Sequence, residues 1–235
     1  MGHVYLVRHG QARFGTQDYD RLSELGVEQS RMLGDWLAKR SWRVDHAVTG
    51  SLLRHRQTAE ACMALLPDAL RPRGAWTTDA GFDEFDADEV MIRFRPEFAL
   101  PDVLKQELAR SDRPRRAFHA LFTSAMGRWM GGRNDHEYRE SWRGFQARCV
   151  AGLERVVGAA GASKNVIVFT SGGPITAICQ HLLELPNHRA FDVNANLVNS
   201  AVTGLLYQPG LVSLSFLNNF AHLEQTGKAD LITYG

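Results

Sequence analysis

The order of apolar and polar positions along the chain predicts strands that alternate with helices. Short apolar runs predict strands at residues 3–7, 45–49 and 166–170. Apolar residues at helical spacing lie between and after these runs, and they predict helices at residues 23–37, 53–66, 142–160 and 175–185. Ser23 is a good N-cap for the first of these helices. Strands alternating with helices are typical of an α/β fold.

The remaining segments are less regular. Residues 75–78 are compatible with a short strand, and residues 201–207 and 211–217 predict a hairpin around Pro209 and Gly210. Residues 88–142 lack a β-branched strand, and their prolines separate helical stretches. We therefore predict one domain, residues 1–235, with a helical insert at approximately residues 88–142.

The insert carries a basic run at residues 110–116, in which arginines surround Ser111, Asp112 and Pro114. A solvated helix end is the interpretation that we favour for this run. The alternative is a lid over a ligand pocket.

Size, composition and charge restrict the class of protein. The chain has 235 residues, of which 44% are hydrophobic, so it is long enough to bury a substantial core. A formal net charge of +1 gives no general attraction to nucleic acid or to membranes, and we predict neither as a partner. We expect no signal peptide before the first strand, and the sequence has no apolar run of the ~20 residues that a membrane span needs. We expect a cytoplasmic protein.

Three cysteines, Cys62, Cys149 and Cys179, lie far apart in helix-like sequence. An odd number without the CxxC spacing argues against a disulfide framework and against a zinc site. Buried free thiols in a reducing compartment are the expected state. We predict no bound metal at these residues.

Polar residues follow three of the predicted strands. Arg8, His9 and Gly10 come directly after the first strand, and Arg54 lies in or near the first turn of the helix after the second. Residues 170–173, with the sequence Thr-Ser-Gly-Gly, connect the third strand to a helix. Because the ends of parallel strands meet at one edge of a sheet, these residues are expected to converge there. Arginines, an imidazole and a glycine-rich helix start together suit a phosphate group.

These motifs occur in an order that resembles a known family. The order includes Arg8-His9-Gly10, the helix start at Leu25-Gly26, Ser51-Leu52-Leu53-Arg54 with Gln57-Thr58-Ala59, Glu84 in Phe82-Asp83-Glu84-Phe85, Glu140-Ser141, and Ser171-Gly172-Gly173. The chain thus resembles the histidine phosphatase superfamily (branch 1), the phosphoglycerate mutase-like clan, and in particular a bacterial subgroup with serine in place of the second catalytic histidine. The resemblance runs from residue 3 to about residue 222.

The resemblance implies a mostly parallel sheet flanked by helices on both faces, and a phosphohydrolase that cleaves phosphomonoesters. In the implied mechanism His9 is the nucleophile that becomes phosphorylated, and Glu84 is the general acid and base. Arg8 and Arg54, with Ser171 and Gly172, bind the phosphoryl group. The family mechanism requires no metal and no cofactor, because arginines supply the positive charge.

Two positions depart from the family pattern. Most members carry a second histidine where this chain has Ser171, which donates one hydrogen bond but carries no charge. We therefore expect slow turnover, or compensation by another group, for which His181 and His222 are candidates although a structural role is expected for both. Gly15 or Thr16 falls where mutases often carry a phosphate-binding asparagine, which disfavours a mutase.

The other histidines lack the spacing of a ligand set and are predicted to lie on the surface: His3, His46, His55, His119, His136 and His188. The tryptophans, including Trp36 and Trp142, are predicted to be packing residues. For Ser171, a phosphate-contacting hydroxyl and a turn residue that caps the following helix are both open. Asp83, Asp86, Asp88 and Glu89 compete with Glu84 for the role of proton donor, and a solvated acidic loop is the alternative.

Three functions remain in competition. The first is a phosphohydrolase acting on a small phosphorylated substrate or a phosphoprotein. The second is a catalytically weak phosphate-binding or regulatory module, and the third, which we favour least, is a phosphoglycerate mutase. The sequence specifies neither the physiological substrate nor the oligomeric state, although homodimers are common among similar proteins.

Overall fold

The computed structural model describes residues 1–13, 20–100 and 102–234. Its strands are β1 (Gly2–Arg8), β2 (His46–Thr49), β3 (Thr77–Thr78), β4 (Asn165–Thr170), β5 (Val202–Gln208) and β6 (Leu211–Asn219). They form one sheet in the order β3-β2-β4-β1-β5-β6. The first four strands are mutually parallel, and β5 and β6 add an antiparallel hairpin at one edge. The predicted α/β class and mostly parallel sheet are confirmed.

Helices cover both faces of this sheet. They are α1 (Glu24–Lys39), α2 (Leu53–Met63), α3 (Ala87–Phe94), α4 (Val103–Ala109), α5 (Pro114–Met130), α6 (Trp142–Ala160), α7 (Gly172–Leu183), α8 (Asn187–Asn196) and α9 (Ala221–Glu224). The start of α1 follows from its sequence, since the Ser23 hydroxyl accepts a hydrogen bond from the backbone N–H of Gly26. Ser141 caps α6 in the same way, through the N–H of Gly144.

Alternate residues of the central strand β1 pack into two separate hydrophobic cores. Val4 and Leu6 contribute to a core that contains residues of α3, α5, α6 and α7. Tyr5 and Val7 contribute to the core on the other face, with residues of α1 and α2. A strand that is buried on both faces is apolar throughout, which explains the uninterrupted apolar runs in the sequence.

Strand register brings three polar turns to the same edge of the sheet. Arg8 pairs with Thr170 at the ends of β1 and β4, and Thr49 pairs with Phe169 at the ends of β2 and β4. The turns that follow β1, β2 and β4 therefore start side by side. This edge is where ligands bind in parallel α/β sheets.

Several predicted boundaries need correction. Helix α7 begins at Gly172 and not at residue 175, because both glycines are part of its first turn. Helix α2 ends at Met63, before the predicted residue 66. Helices α8 and α9 were not predicted from the sequence. Residues 88–142 are mostly helical as predicted, while the status of this segment as an insert remains a prediction.

Most of the other surface and core predictions agree with the structure. The arginines of the basic run at residues 110–116 are exposed at the end of α4 and in the first turn of α5. The solvated helix end stays the favoured interpretation, and the lid stays the alternative. Trp36, Trp142 and all three cysteines are buried, and the cysteines are unpaired. The prediction that the tryptophans are packing residues is wrong for Trp76, which is exposed. No helix in the described part of the chain combines the length and the apolar character that a membrane crossing requires.

Candidate active site

His9 lies just beyond the carboxyl end of β1 with its ring buried. Its Nδ1 atom is 2.7 Å from the carbonyl oxygen of Gly10. Because a carbonyl only accepts hydrogen bonds, Nδ1 carries the proton and Nε2 carries a lone pair. Burial, followed by the charges of Arg54 and Arg8 and the His55 ring, holds the pKa of His9 well below its usual range. The ring is therefore neutral and has one unprotonated nitrogen.

Two buried arginines lie next to this imidazole. Arg8 donates through Nη1 to the carbonyl oxygen of Leu197, and Arg54 donates through Nη1 to Asp20 Oδ1 at 2.8 Å. Asp20 Oδ2 also accepts the backbone N–H of Leu53 at 2.8 Å, which ties this carboxylate to the start of α2. The two guanidinium groups give the site a net positive field suited to a dianion.

Glu84 lies beside the start of α7. Its two carboxyl oxygens accept backbone N–H groups, from Phe85 and from Gly173, both at 3.2 Å. Burial raises the pKa of Glu84 above its usual value, although Arg54, Arg8 and these two N–H groups oppose the shift. A carboxyl group in such surroundings is able to carry a proton.

The neighbouring acids, which competed with Glu84 in the sequence, have other partners or are exposed. Asp83 accepts hydrogen bonds from the backbone N–H and the hydroxyl of Ser51. Asp86 caps α3 through the N–H of Glu89 and pairs with Arg139. Glu89 also pairs with Arg139, and Asp88 is exposed at the start of α3. Glu84, by contrast, lies close enough to Arg54 and Arg8 for both charges to act on its pKa.

Ser171 is fully buried between β4 and α7, but its hydroxyl does not cap the helix. The Ser171 Oγ atom lies 2.7 Å from His55 Nε2 instead. The prediction that His55 lies on the surface is wrong, because this side chain is fully buried in α2. The centroids of the His55 and His9 rings are 5.9 Å apart.

Gly172 lies where Arg8 and α8 converge. A Cβ atom on this residue would lie 2.6 Å from Asn194 Oδ1 and 3.6 Å from Arg8 Nε. The first of these distances is too short for a carbon–oxygen contact, so the Asn194 side chain would have to shift to admit a larger residue here. The second glycine, Gly173, provides the N–H group that contacts Glu84.

The two histidines considered as substitutes for the second catalytic histidine lie elsewhere. His181 is exposed. His222 is buried, with Nε2 at 2.8 Å from Ser200 Oγ, and packs against the ring of Trp36. Of the remaining histidines predicted to lie on the surface, His3 is half-buried and the others are exposed. Gly15 and Thr16 lie outside the described residues.

The structure thus brings the predicted residues His9, Arg8, Arg54, Glu84, Ser171 and Gly172 to one edge of the sheet. Sequence reasoning missed two members of this site, Asp20 and His55. Within residues 1–13, 20–100 and 102–234, no group of three His, Cys, Asp or Glu side chains has the arrangement of a metal site. The assembled chemistry is a neutral imidazole, two guanidinium groups and a carboxyl group with a raised pKa.

Solved structures share this fold. A phosphoglycerate mutase from Bacillus anthracis superposes with a TM-score of 0.64 over 97% of each chain, at 17% identity. Bacillus stearothermophilus YhfR superposes with a TM-score of 0.65 over 95% of this chain and 100% of that chain, at 18% identity. A phosphoserine phosphatase mutant from Entamoeba histolytica gives 0.63 over 95% and 100%, at 15% identity. At these identities the likeness establishes the fold alone.

Sequence comparison gives the family. The mitochondrial serine/threonine-protein phosphatase PGAM5 of Xenopus laevis is 37% identical over 68 residues, which cover 28% of this chain and 25% of that protein. The match thus spans about a quarter of the length of this relative. The model of the histidine phosphatase superfamily (branch 1) matches residues 4–117 and 108–219, which together make up most of the chain. The protein therefore belongs to branch 1 of the histidine phosphatase superfamily.

Proposed function

We propose that this protein is a phosphohydrolase that cleaves a phosphomonoester through a phosphohistidine on His9. The observation that carries the proposal is the hydrogen bond from His9 Nδ1 to the Gly10 carbonyl oxygen, at 2.7 Å. This bond fixes the tautomer in which Nε2 has the lone pair that a nucleophile needs. The adjacent guanidinium groups of Arg8 and Arg54 would hold the phosphoryl oxygens.

In the first half of the reaction, the Nε2 lone pair forms a bond to phosphorus while the bond from phosphorus to the leaving oxygen breaks. The electron pair of that bond stays on the leaving oxygen, and Glu84 supplies the proton that neutralises it. Arg8 and Arg54 stabilise the charge on the equatorial phosphoryl oxygens. The products are an alcohol and a phosphorylated His9.

In the second half, water attacks the phosphorus atom of the phosphohistidine. Glu84, now a carboxylate, takes a proton from that water. The phosphorus–nitrogen bond breaks, its electron pair returns to Nε2, and inorganic phosphate leaves. His9 and Glu84 are then restored to their starting protonation states.

The protonation states favour activity on the acid side of neutrality. A lowered His9 pKa extends the unprotonated state of Nε2 to lower pH, and a raised Glu84 pKa extends the protonated state of the general acid to higher pH than usual. These two shifts support the assignment to the acid phosphatases of the histidine type.

We also propose that the chain belongs to the bacterial subgroup with serine in place of the second histidine, on the basis of residues 170–173. The family match at residues 4–117 and 108–219 supports a single domain, and the helical insert at approximately residues 88–142 remains part of the proposal. A cytoplasmic location, with no nucleic-acid or membrane partner, remains the expectation from composition and charge. A homodimer remains an open expectation.

Two alternative functions make different demands on the same site. A phosphate-binding module with little catalysis is favoured by one observation, the uncharged Ser171 at the second-histidine position. A phosphoglycerate mutase is disfavoured by Gly15 and Thr16. The substrate is either a small molecule or a phosphoprotein. Phosphoproteins are included in the test because the chain has a short match to a relative named as a serine/threonine-protein phosphatase.

The test is a screen of the purified protein against small phosphomonoesters and phosphoserine peptides, with inorganic phosphate as the measured product. A parallel assay supplies 3-phosphoglycerate primed with 2,3-bisphosphoglycerate. We expect phosphate release from at least one substrate class and no mutase product. Tight binding without release across the panel would identify a binding module, and isomerisation without release would identify a mutase.

Gly173→Ala tests the placement of Glu84. A Cβ atom at this position would lie 1.9 Å from Glu84 Oε1, so the carboxyl group must move away from its present position. We expect kcat to fall by about 10²-fold, since small displacements of a catalytic group have effects of that order. Steady-state kinetics with a phosphomonoester that the screen identifies gives the measurement.

Gly158→Ala is the matched control for this prediction. Gly158 is an exposed glycine within α6, and a Cβ atom there would meet nothing within 4 Å. We expect unchanged kcat and a gain in stability of about 0.5–1 kcal/mol, because glycine is the poorer helix former. Equal kinetics for the two glycine variants would show that Glu84 does not act from its present position.

A further inference from the structure

The hydroxyl of Ser171 is held by a side chain from another element of the fold. His55 belongs to α2, follows Arg54 directly, and reaches across to the end of β4, where its Nε2 atom is 2.7 Å from Ser171 Oγ. Both side chains are fully buried. Ser171 makes no capping hydrogen bond to α7, and within the described residues its hydroxyl contacts His55.

A glycine next to β2 makes room for this imidazole. A Cβ atom on Gly50 would lie only 2.2 Å from His55 Nδ1. The same Nδ1 atom has no hydrogen-bond partner among the described residues, and the nearest carboxylate oxygen, Asp83 Oδ1, is 3.9 Å away. That distance is too long for a hydrogen bond, and the carboxylate is already bonded to Ser51.

The position of the proton on His55 determines what Ser171 does. Burial and the charge of Arg54 lower the pKa of His55 to about 3, so its ring carries a single proton. A proton on Nε2 is donated to Ser171 Oγ, which leaves the serine proton free to be donated elsewhere. A proton on Nδ1 makes no hydrogen bond within the described residues and turns Ser171 into the donor to His55.

We propose that His55 is a positioning residue for phosphoryl transfer, which donates its Nε2 proton to Ser171 Oγ and thereby directs the Ser171 hydroxyl proton to the phosphoryl group. The Ser171 hydroxyl, oriented by His55, thereby makes the hydrogen bond to the phosphoryl group that a second histidine makes in most members of the family. The inference rests on the proposed function. It also accounts for an uncharged serine at position 171, because the imidazole of His55 is in hydrogen-bond contact with the serine hydroxyl.

The proposal changes how position 171 has to be tested. Ser171→His alone is not an informative restoration of the family pattern, since the new imidazole would overlap with His55 at the present 2.7 Å contact. A double-mutant cycle avoids this difficulty. The four proteins are the wild type, His55→Ala, Ser171→Ala and the combination of both, and His55→Gln is added because its amide retains an N–H donor near the Nε2 position.

Two properties are measured for each protein: kcat and KM with p-nitrophenyl phosphate, and the Kd of orthovanadate by calorimetry. We expect His55→Ala and Ser171→Ala each to lower kcat by about 10–10²-fold, somewhat below the effect of removing a full oxyanion donor. The double variant should lose no more than Ser171→Ala alone, because the two groups act as one unit. His55→Gln should recover most of the loss, with KM changing less than kcat.

His222→Gln is the matched control. His222 is another buried histidine in contact with a serine hydroxyl, Ser200 Oγ at 2.8 Å, and burial lowers its pKa to about 4. We expect this variant to retain wild-type kcat and vanadate affinity, with any effect confined to Tm. A loss of kcat in His222→Gln as large as the loss in His55→Ala would assign both histidines to general packing and overturn the proposal.

Two further results would overturn the inference. One is a loss of kcat in the double variant equal to the product of the losses in His55→Ala and Ser171→Ala, and the other is wild-type kcat and vanadate affinity in His55→Ala. Failure of the proposed function looks different, since it is a wild type without His9-dependent turnover. In that case the vanadate Kd values of the same four proteins still decide the inference. Coupling between positions 55 and 171 supports it, and independent effects contradict it.

Discussion

Replacement of His9 by alanine is expected to lower kcat by about 10⁴-fold or more, because loss of a nucleophile removes the covalent route altogether. The Nε2 lone pair of His9 is the nucleophile in the proposed mechanism, and its tautomer is fixed by the bond from Nδ1 to the Gly10 carbonyl oxygen. Steady-state hydrolysis of p-nitrophenyl phosphate, measured with Tm for both proteins, separates loss of chemistry from loss of folding.

The matched comparison for this variant is His46→Ala. His46 is an exposed histidine at the start of β2, on the same sheet but at the opposite end of its strand from the site. We expect its kcat to equal that of the wild type. A His9→Ala protein that keeps its Tm and more than a small fraction of wild-type kcat would rule out His9 as the nucleophile.

Glu84→Gln is expected to have the second largest effect, and its size should depend on the leaving group. General acid catalysis contributes about 10²–10⁴-fold when the leaving oxygen is strongly basic. We therefore expect a loss of that order with an alkyl phosphate and a much smaller loss with p-nitrophenyl phosphate, whose phenolate leaves without help. The ratio of kcat/KM for the two substrates, in wild type and variant, is the measurement.

Asp86→Asn is the control for this prediction. Asp86 is a nearby acid whose side chain caps α3, and asparagine is an equally good capping residue. We expect unchanged kinetics with both substrates. If Glu84→Gln lost the same factor with the alkyl and the aryl phosphate, Glu84 would not be the proton donor to the leaving oxygen.

The pH profile follows from the directions of two pKa shifts. His9 must be neutral to attack, and its lowered pKa places the loss of activity from its protonation well below pH 6.5. Glu84 must be protonated to act as the acid, and its raised pKa moves the loss from its deprotonation above pH 4.5. We expect the alkaline limb of kcat/KM for an alkyl phosphate to disappear in Glu84→Gln. An unchanged alkaline limb would mean that another group is the acid.

The sequence predicts those parts of the fold in which apolar periodicity is strong. Strand β1 and helix α6 agree with expectation because their buried residues are mostly apolar. The starts of α1 and α6 agree because each has a serine N-cap. Helix α8 gave no such signal, since Ala190 is its one buried residue among those described. Helix α9 is too short to show a period.

The same reasoning explains why His55 was missed. The buried face of α2 begins with Arg54 and His55 and continues through Thr58. Because these residues are polar, a prediction from hydropathy places the start of the helix in contact with solvent. A signal was present nevertheless. His55 is separated by four and by eight residues from the buried Ala59 and Met63, which places all three on one side of the helix. Asp20 gave no signal of this kind, because its role depends on a loop whose position is not encoded in a periodic pattern.

The central claim is that phosphate passes through a nitrogen atom of His9, and trapping of the intermediate tests it most directly. The protein is mixed with a radiolabelled phosphomonoester and denatured in alkali during turnover, and the labelled peptide is identified by mass spectrometry. We predict a label on His9 that is stable in alkali, is released by acid and is absent from His9→Ala. Label on Ser171 that survives acid, or turnover that leaves no label on His9, would contradict the account.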